Sequence, residues 1–133
     1  MLKYAAILSL LLLSANSAQL SATERETVAI IGTGDMGDSI GPKLAEKGYR
    51  VIYGSRDPAD ASVRQLVALT GNNAQATTQQ EAAQQAEIVV LVVPWPAMEQ
   101  VAKNLGKLDG KILIDVSIPI RQAEDGYLES MVS

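Results

Sequence analysis

The residues best suited to chemistry in this sequence are six in a row, Gly32-Thr33-Gly34-Asp35-Met36-Gly37, which follow the apolar run Thr27–Ile31 without a gap. A GxGxxG pattern in that position suits the phosphates of a dinucleotide, and each glycine has its own steric task. The first permits a tight turn out of a strand, the second lets a pyrophosphate approach the backbone, and the third lets the next helix pack closely on the sheet. The exposed N–H groups and the positive dipole end of that helix then meet the anion. A short glycine pattern alone is weak. This one gains weight from its place between a strand and a helix, inside a strand-helix-strand unit of about thirty residues.

A second group of residues bears on which dinucleotide is taken. The apolar stretch at residues 50–53 runs into Gly54-Ser55-Arg56, where NAD enzymes place an Asp or Glu on the ribose hydroxyls. Ser55 can donate a hydrogen bond to a 2′-phosphate, and Arg56 can pair with it or lie over the adenine. The reading favours NADP(H), while Asp57 leaves room for NAD(H). A third group, Val93-Pro94-Trp95-Pro96, sits just past a very apolar run and at the same edge of a parallel sheet as the glycine turn, where ligands of open α/β sheets bind. The Trp95 indole either borders the nicotinamide or packs beneath the loop. Asp115 and Ser117 reach the same edge, but capping of a strand end explains them equally well, so no catalytic residue is assigned. The chain has no cysteine and no histidine. It therefore lacks the usual zinc ligands and an imidazole for proton transfer, no metal site is expected, and any redox chemistry must come from a bound cofactor.

These groups need a scaffold, and from Thr27 onward runs of strand length alternate with segments of helical period. Strands are expected at Thr27–Ile31, 50–53, 74–77, 87–93 and 111–116. Helices are expected at 36–47, at Ala61–Thr70, from the capping box Thr78-Gln79-Gln80-Glu81 to Gln85, and at 97–105. The stretch 87–93 is the most hydrophobic strand and is expected to be central. Pro42, inside the first helix, should remove a hydrogen bond and kink it. The fold class that follows is α/β, a Rossmann-type doubly wound sheet of about five mainly parallel strands in the order 3-2-1-4-5.

A chain of 133 residues, 47% of them apolar, has room for one such domain and its core. Its net charge of −4, with eleven basic residues scattered along the chain, offers no footprint for nucleic acid. At the N-terminus Lys3, an apolar run to Leu13 and the small residues Ser14-Ala15-Asn16-Ser17-Ala18 read as a signal peptide over residues 1–20, cleaved between Ser17 and Ala22. The run is about half the ~20 residues that span a bilayer, so no stable membrane span is expected after processing. Export to a periplasm or to the outside follows, in tension with the largely cytosolic supply of NADPH. The organisation is then a dinucleotide-binding domain over residues 24–120 and an incomplete C-terminal segment over 121–133.

The strings GTGDMG, VIYGSRDP, IVVLVVPWPAMEQV and GKILIDVSIP, within residues 27–119, resemble the NADP-binding domain of the deazaflavin (coenzyme F420)-dependent NADP oxidoreductases. They are similar also to the reductase domain of the six-transmembrane ferric reductases and, more distantly, to the N-terminal domain of pyrroline-5-carboxylate reductase. The resemblance implies NADPH held at the Gly32–Gly37 turn, a 2′-phosphate met by Thr33, Ser55 and Arg56, and a nicotinamide near Pro94 and Trp95. Hydride would pass to a flavin-like or deazaflavin acceptor. Asp60 stands about where the family often has a basic residue. The family also continues with further strands and helices that complete the acceptor site and often a homodimer interface, so the chain is expected to be truncated or minimal. A non-catalytic dinucleotide-binding module is the alternative.

Overall fold

The structure, a computed structural model, describes residues 25–132. The expected signal peptide and its cleavage region lie outside the described residues. The first strand, β1 (Thr27–Ile31), is buried along its whole length, and it forms the middle of a five-stranded sheet rather than an edge. On one side it pairs in parallel with β2 (Arg50–Ser55), which pairs with β3 (Gln75–Thr78). On the other it pairs in parallel with β4 (Ile88–Leu91), which pairs with β5 (Ile112–Asp115). The order β3-β2-β1-β4-β5 is the expected one. The run at 87–93, although the most apolar, is one place off centre.

Every link between adjacent parallel strands is a crossover, so helices cover both faces and the inner strands must be apolar on both. The alternation of β1 shows this directly. Val28 and Ile30 pack with Val51, Tyr53 and Val90 beneath α1 (Asp35–Glu46) and α2 (Ala61–Thr70), which contribute Ala45 and Leu66. Ala29 and Ile31 pack with Ile52, Val89 and Leu91 beneath α3 (Gln79–Gln85) and α4 (Met98–Leu105), which contribute Ala82, Ala83, Val101 and Leu105. The Tyr53 hydroxyl is satisfied inside the first layer by Thr70 at 2.7 Å, while Thr70 donates onward to the Leu66 carbonyl at 2.8 Å. Burial raises the Tyr53 pKa above its usual value, and the charge of Asp38 pushes it further in the same direction.

Local signals set most helix boundaries. Asp60 caps α2, its carboxylate accepting from the Ser62 N–H at 2.8 Å and the Ser62 hydroxyl at 2.6 Å. Thr78 caps α3 by accepting from the Glu81 N–H at 3.3 Å. The return arm of that capping box differs from expectation: the Glu81 carboxylate accepts from the hydroxyls of Thr77 and Thr78, and these hold it below the usual carboxylate range. Pro42 does not end its helix. The proline removes one donor, yet α1 runs on to Glu46, with Ala45 in the core beyond it. Residues 95–97 form a 3₁₀ turn leading into α4. After β5 the weak pattern resolves into a two-stranded antiparallel hairpin of β6 (Ile120–Gln122) and β7 (Leu128–Ser130), which the sequence reading did not anticipate.

Ile30 is fully buried in the middle strand, whereas Leu69 on α2 is 74% exposed. Urea denaturation should find Ile30→Ala destabilised by about 2–5 kcal/mol and Leu69→Ala changed by less than about 0.5 kcal/mol. Comparable losses at both positions would contradict this core.

Candidate functional site

Parallel register brings the carboxyl ends of the strands level. Ile31 lies beside Gly54 and Leu91, and Leu91 lies beside Asp115. The chain therefore leaves β1, β2, β4 and β5 along one edge, and there a cleft of about 1010 Å³ opens. Its walls hold nearly all of the residues singled out from the sequence: Gly32, Thr33, Gly34, Asp35 and Met36 after β1, Ser55 and Arg56 at the end of β2, and Val93, Pro94 and Trp95 after β4.

The glycine turn is fixed by close packing. Gly32 has φ +117°, and a Cβ there would stand 2.7 Å from the Val92 carbonyl oxygen, while its N–H donates to the Gly54 carbonyl at 3.1 Å. Only glycine combines that backbone angle with so near a neighbouring strand. Gly37 is buried and does not line the cleft; a Cβ on it would lie 2.4 Å from the Gly32 carbonyl oxygen. Its part is to bring α1 down onto the turn. Gly34 is the opposite case, exposed and with nothing within 4 Å of its missing Cβ. The open space of the cradle lies there. Gly34 is also the N-cap of α1 and offers no side-chain cap, in contrast to Asp60 and Thr78 on α2 and α3. The first-turn N–H groups of α1 are thus left for an outside acceptor.

At the β2 side Ser55 is buried and accepts from the Asp57 N–H at 3.2 Å, so its own hydroxyl hydrogen remains to be given. Arg56 beside it is exposed and lines the cleft. The two carboxylates nearby are occupied locally. Asp57 accepts from the Ala59 N–H at 3.1 Å, and Asp60 serves as the α2 cap, held below the usual carboxylate range first by the Ser62 hydroxyl. Asp60 thus acts as the start signal of the helix that the sequence offers there, in the place where the family often has a basic residue.

Trp95, half-buried in the 3₁₀ turn, lines the far wall together with Val116, Ser117, Ile118 and Ile120 from the segment after β5. The Ser117 hydroxyl oxygen is buried and has no hydrogen-bond partner. A buried polar atom left in that state is costly, and one on a cleft wall can be satisfied by a ligand. Asp115 accepts from the Ser117 N–H at 2.8 Å, which is the strand-end cap weighed from the sequence. The sequence reading missed Gln79, Ile118 and Ile120 as lining residues. In the sequence Gln79 carries no signal beyond its place as the second residue of a capping box, and the two isoleucines lie in a stretch without clear periodicity. Among the described residues no cluster of acidic side chains is arranged to hold a metal ion, and no helix is long and apolar enough to cross a membrane.

Residues 27–119 match the family described as coenzyme F420-dependent NADP oxidoreductase. The metalloreductase STEAP3 of Rattus norvegicus is 32% identical over 115 residues, which is 81% of this chain and 22% of that protein. The F420-dependent NADP reductase of Methanothermobacter marburgensis is 35% identical over 100 residues, 70% of this chain and 45% of that protein. A crystal structure of a putative F420-dependent NADP reductase from Arthrobacter sp. FB24 superposes with a TM-score of 0.71 at 26% identity, covering 80% of this chain and 51% of that one. The chain thus spans less than half the length of these two curated relatives.

The packing at the turn gives a stability test. Gly37→Ala forces the turn and α1 apart and should cost about 1–3 kcal/mol. Gly34→Ala meets open space and should cost less than about 1 kcal/mol. Equal stability losses in chemical denaturation would show that the turn is not held by the Gly32–Gly37 approach.

Proposed function

The chain belongs to the family of coenzyme F420-dependent NADP oxidoreductases, and from that premise we propose that its cleft binds NADP(H) for hydride exchange with a flavin-like or deazaflavin acceptor. The observation that carries the reading is one edge of the sheet holding an uncapped helix start, an open Gly34 cradle, and the Ser55-Arg56 pair together. Bound nicotinamide would supply the hydride. The protein's own residues bind and orient. First-turn N–H groups of α1 receive the pyrophosphate, with the helix dipole adding to their attraction. Ser55 gives its free hydroxyl hydrogen to the 2′-phosphate, and Arg56 neutralises that phosphate from the solvent side. Thr33 lines the cleft as well. Trp95 and Val93 bound the nicotinamide end and limit water there, and Ser117 offers its unpartnered hydroxyl to a polar group on either ring. Holding two rings in a productive approach is the main service such a site performs, so it needs neither histidine nor cysteine.

A second reading, a dinucleotide-binding module without turnover, is supported by the open acceptor end. Ile118 on that wall is 59% exposed. Export is also part of the proposal, on the strength of the charged start, the apolar run and the small residues that follow.

Titration with NADPH and NADH, followed through the fluorescence of Trp95, the only tryptophan, tests the cofactor assignment. NADPH should bind more tightly, and Arg56→Ala should weaken NADPH roughly tenfold while leaving NADH nearly unchanged. Equal affinities for the two in the parent chain would sink the Ser55-Arg56 assignment. NADPH oxidation with flavin, deazaflavin, imine and ferric acceptors separates the two readings, because turnover is expected only of the oxidoreductase. For export, N-terminal sequencing of the protein recovered from cells should find a start near Ala18; a product beginning at Met1 would overturn it.

A further inference from the structure

The end of β2 offers different chemistry on its two faces. By the alternation of a strand, Ile52 and Gly54 turn toward α3 and α4, while Tyr53 and Ser55 turn toward α1 and α2. The Ser55 hydroxyl therefore belongs to the side of the cleft walled by Ser62 and Val63 of α2. The other side is lined by Gln79, the first residue of α3, and by Ala97 and Val101 beyond β4.

Gly54 is what admits Gln79 to this wall. A Cβ on Gly54 would stand 3.0 Å from the Gln79 Cα, 2.7 Å from the Ile31 Cδ1 and 3.2 Å from the Ala82 Cβ, so any side chain there would push the start of α3 off the sheet. Strand register fixes the same point, because Ser55 pairs with Thr78, the residue directly before Gln79. Gln79 is half-buried there. The polar side chains around it are spent on structure: Thr77 and Thr78 donate to Glu81, and Gln84 donates to the carbonyls of Leu105 and Lys107 at 3.0 and 3.1 Å, whereas the Gln79 amide takes no part in these bonds. Its donor and acceptor are left to the cleft.

We propose that Gln79 reads the adenine base of the bound dinucleotide, its Oε1 accepting from the 6-amino group and its Nε2 donating to a ring nitrogen, which rests on the dinucleotide reading of this cleft. An amide carries a donor and an acceptor side by side, the reverse of the pair that an edge of adenine presents. A phosphate presents acceptors alone, and Ser55 and Arg56 already meet it at the other face of the strand. The base and the 2′-phosphate leave neighbouring carbons of one ribose, so groups on opposite faces at the end of β2 can reach each separately. Ala97 and Val101 give the flat ring an apolar surface to cover it from water. Gln79 is thus a specificity residue for the base, while Ser55 and Arg56 choose between a phosphate and a hydroxyl on the ribose.

Calorimetric titration of the full chain with NADP+ and with its 1,N6-etheno derivative tests this role. The etheno bridge ties the 6-amino nitrogen to ring N1 and removes the hydrogen that Gln79 accepts, leaving ribose, phosphates and nicotinamide unchanged. The parent chain should bind the etheno form about tenfold more weakly than NADP+. Gln79→Met, which keeps the length of the side chain and loses the amide, should bind NADP+ about tenfold more weakly than the parent and take the two nucleotides alike within about twofold. It should weaken NAD+ by the same factor, since both dinucleotides carry adenine, unlike Arg56→Ala. Gln80→Met, exposed one residue further on, should keep the parent's discrimination. Equal binding of the two forms by the parent, a discrimination that survives in Gln79→Met, or a loss in that variant confined to NADP+ with NAD+ unchanged would each overturn the role of Gln79 while dinucleotide binding stands. Binding of neither nucleotide by the parent would remove the dinucleotide reading and this inference together.

Discussion

The parallel pairing of β1 with β2 on one side and β4 on the other is the constraint on which the rest of this molecule depends. Parallel neighbours can be joined only by crossovers, so pairing brings helices onto both faces and forces β1 to be apolar throughout. The same pairing aligns the strand ends, and this makes four separate segments meet at one cleft. Gly32 then ties the arrangement together: it receives its conformation from the crowding of Val92 and its anchor from the Gly54 carbonyl. Fold and site are therefore not independent here. A change that opens the turn loosens α1, and a shift of α1 moves the N–H groups offered to a phosphate.

Electrostatics at the cleft depend on where carboxylates are spent locally. An acidic chain that binds an anion needs its nearby acids held elsewhere, and Asp57 and Asp60 both accept from neighbouring backbone N–H groups. The low pKa of Asp60 reflects that engagement. As pH falls through its depressed folded value the cap on α2 is lost, so this contribution to stability is present at neutral pH and fades in acid. Family membership and the open Gly34 cradle agree on a dinucleotide ligand. The less enclosed part of the cleft lies between Trp95 and the segment after β5.

That segment marks a contrast within the sheet. From β3 to β4 the apolar surface is covered by helices, and the polar composition of β3 suits an edge exposed to water. Among the described residues β5 pairs on one side only, and Ile112, Leu113 and Ile114 are exposed there.

The sequence by itself determined the glycine turn, the Ser55-Arg56 end of β2 and the caps at Asp60 and Thr78, because each is a local pattern whose geometry follows from a few adjacent residues; the sheet order was legible from the alternation of strands and helices along the chain. Element bounds were legible to within a few residues for the same reason. Tertiary structure alone decided how deeply each strand is buried. The runs at 87–93 and 111–116 both read as apolar strands, yet β4 lies between two strands and under helices while β5, among the described residues, has a neighbour on one side only. Tertiary structure also decided that α1 continues past Pro42 and that Ile118 and Ile120 join a wall of the cleft. Periodicity reports which face of an element is apolar, but burial depends on what the rest of the chain brings against that face.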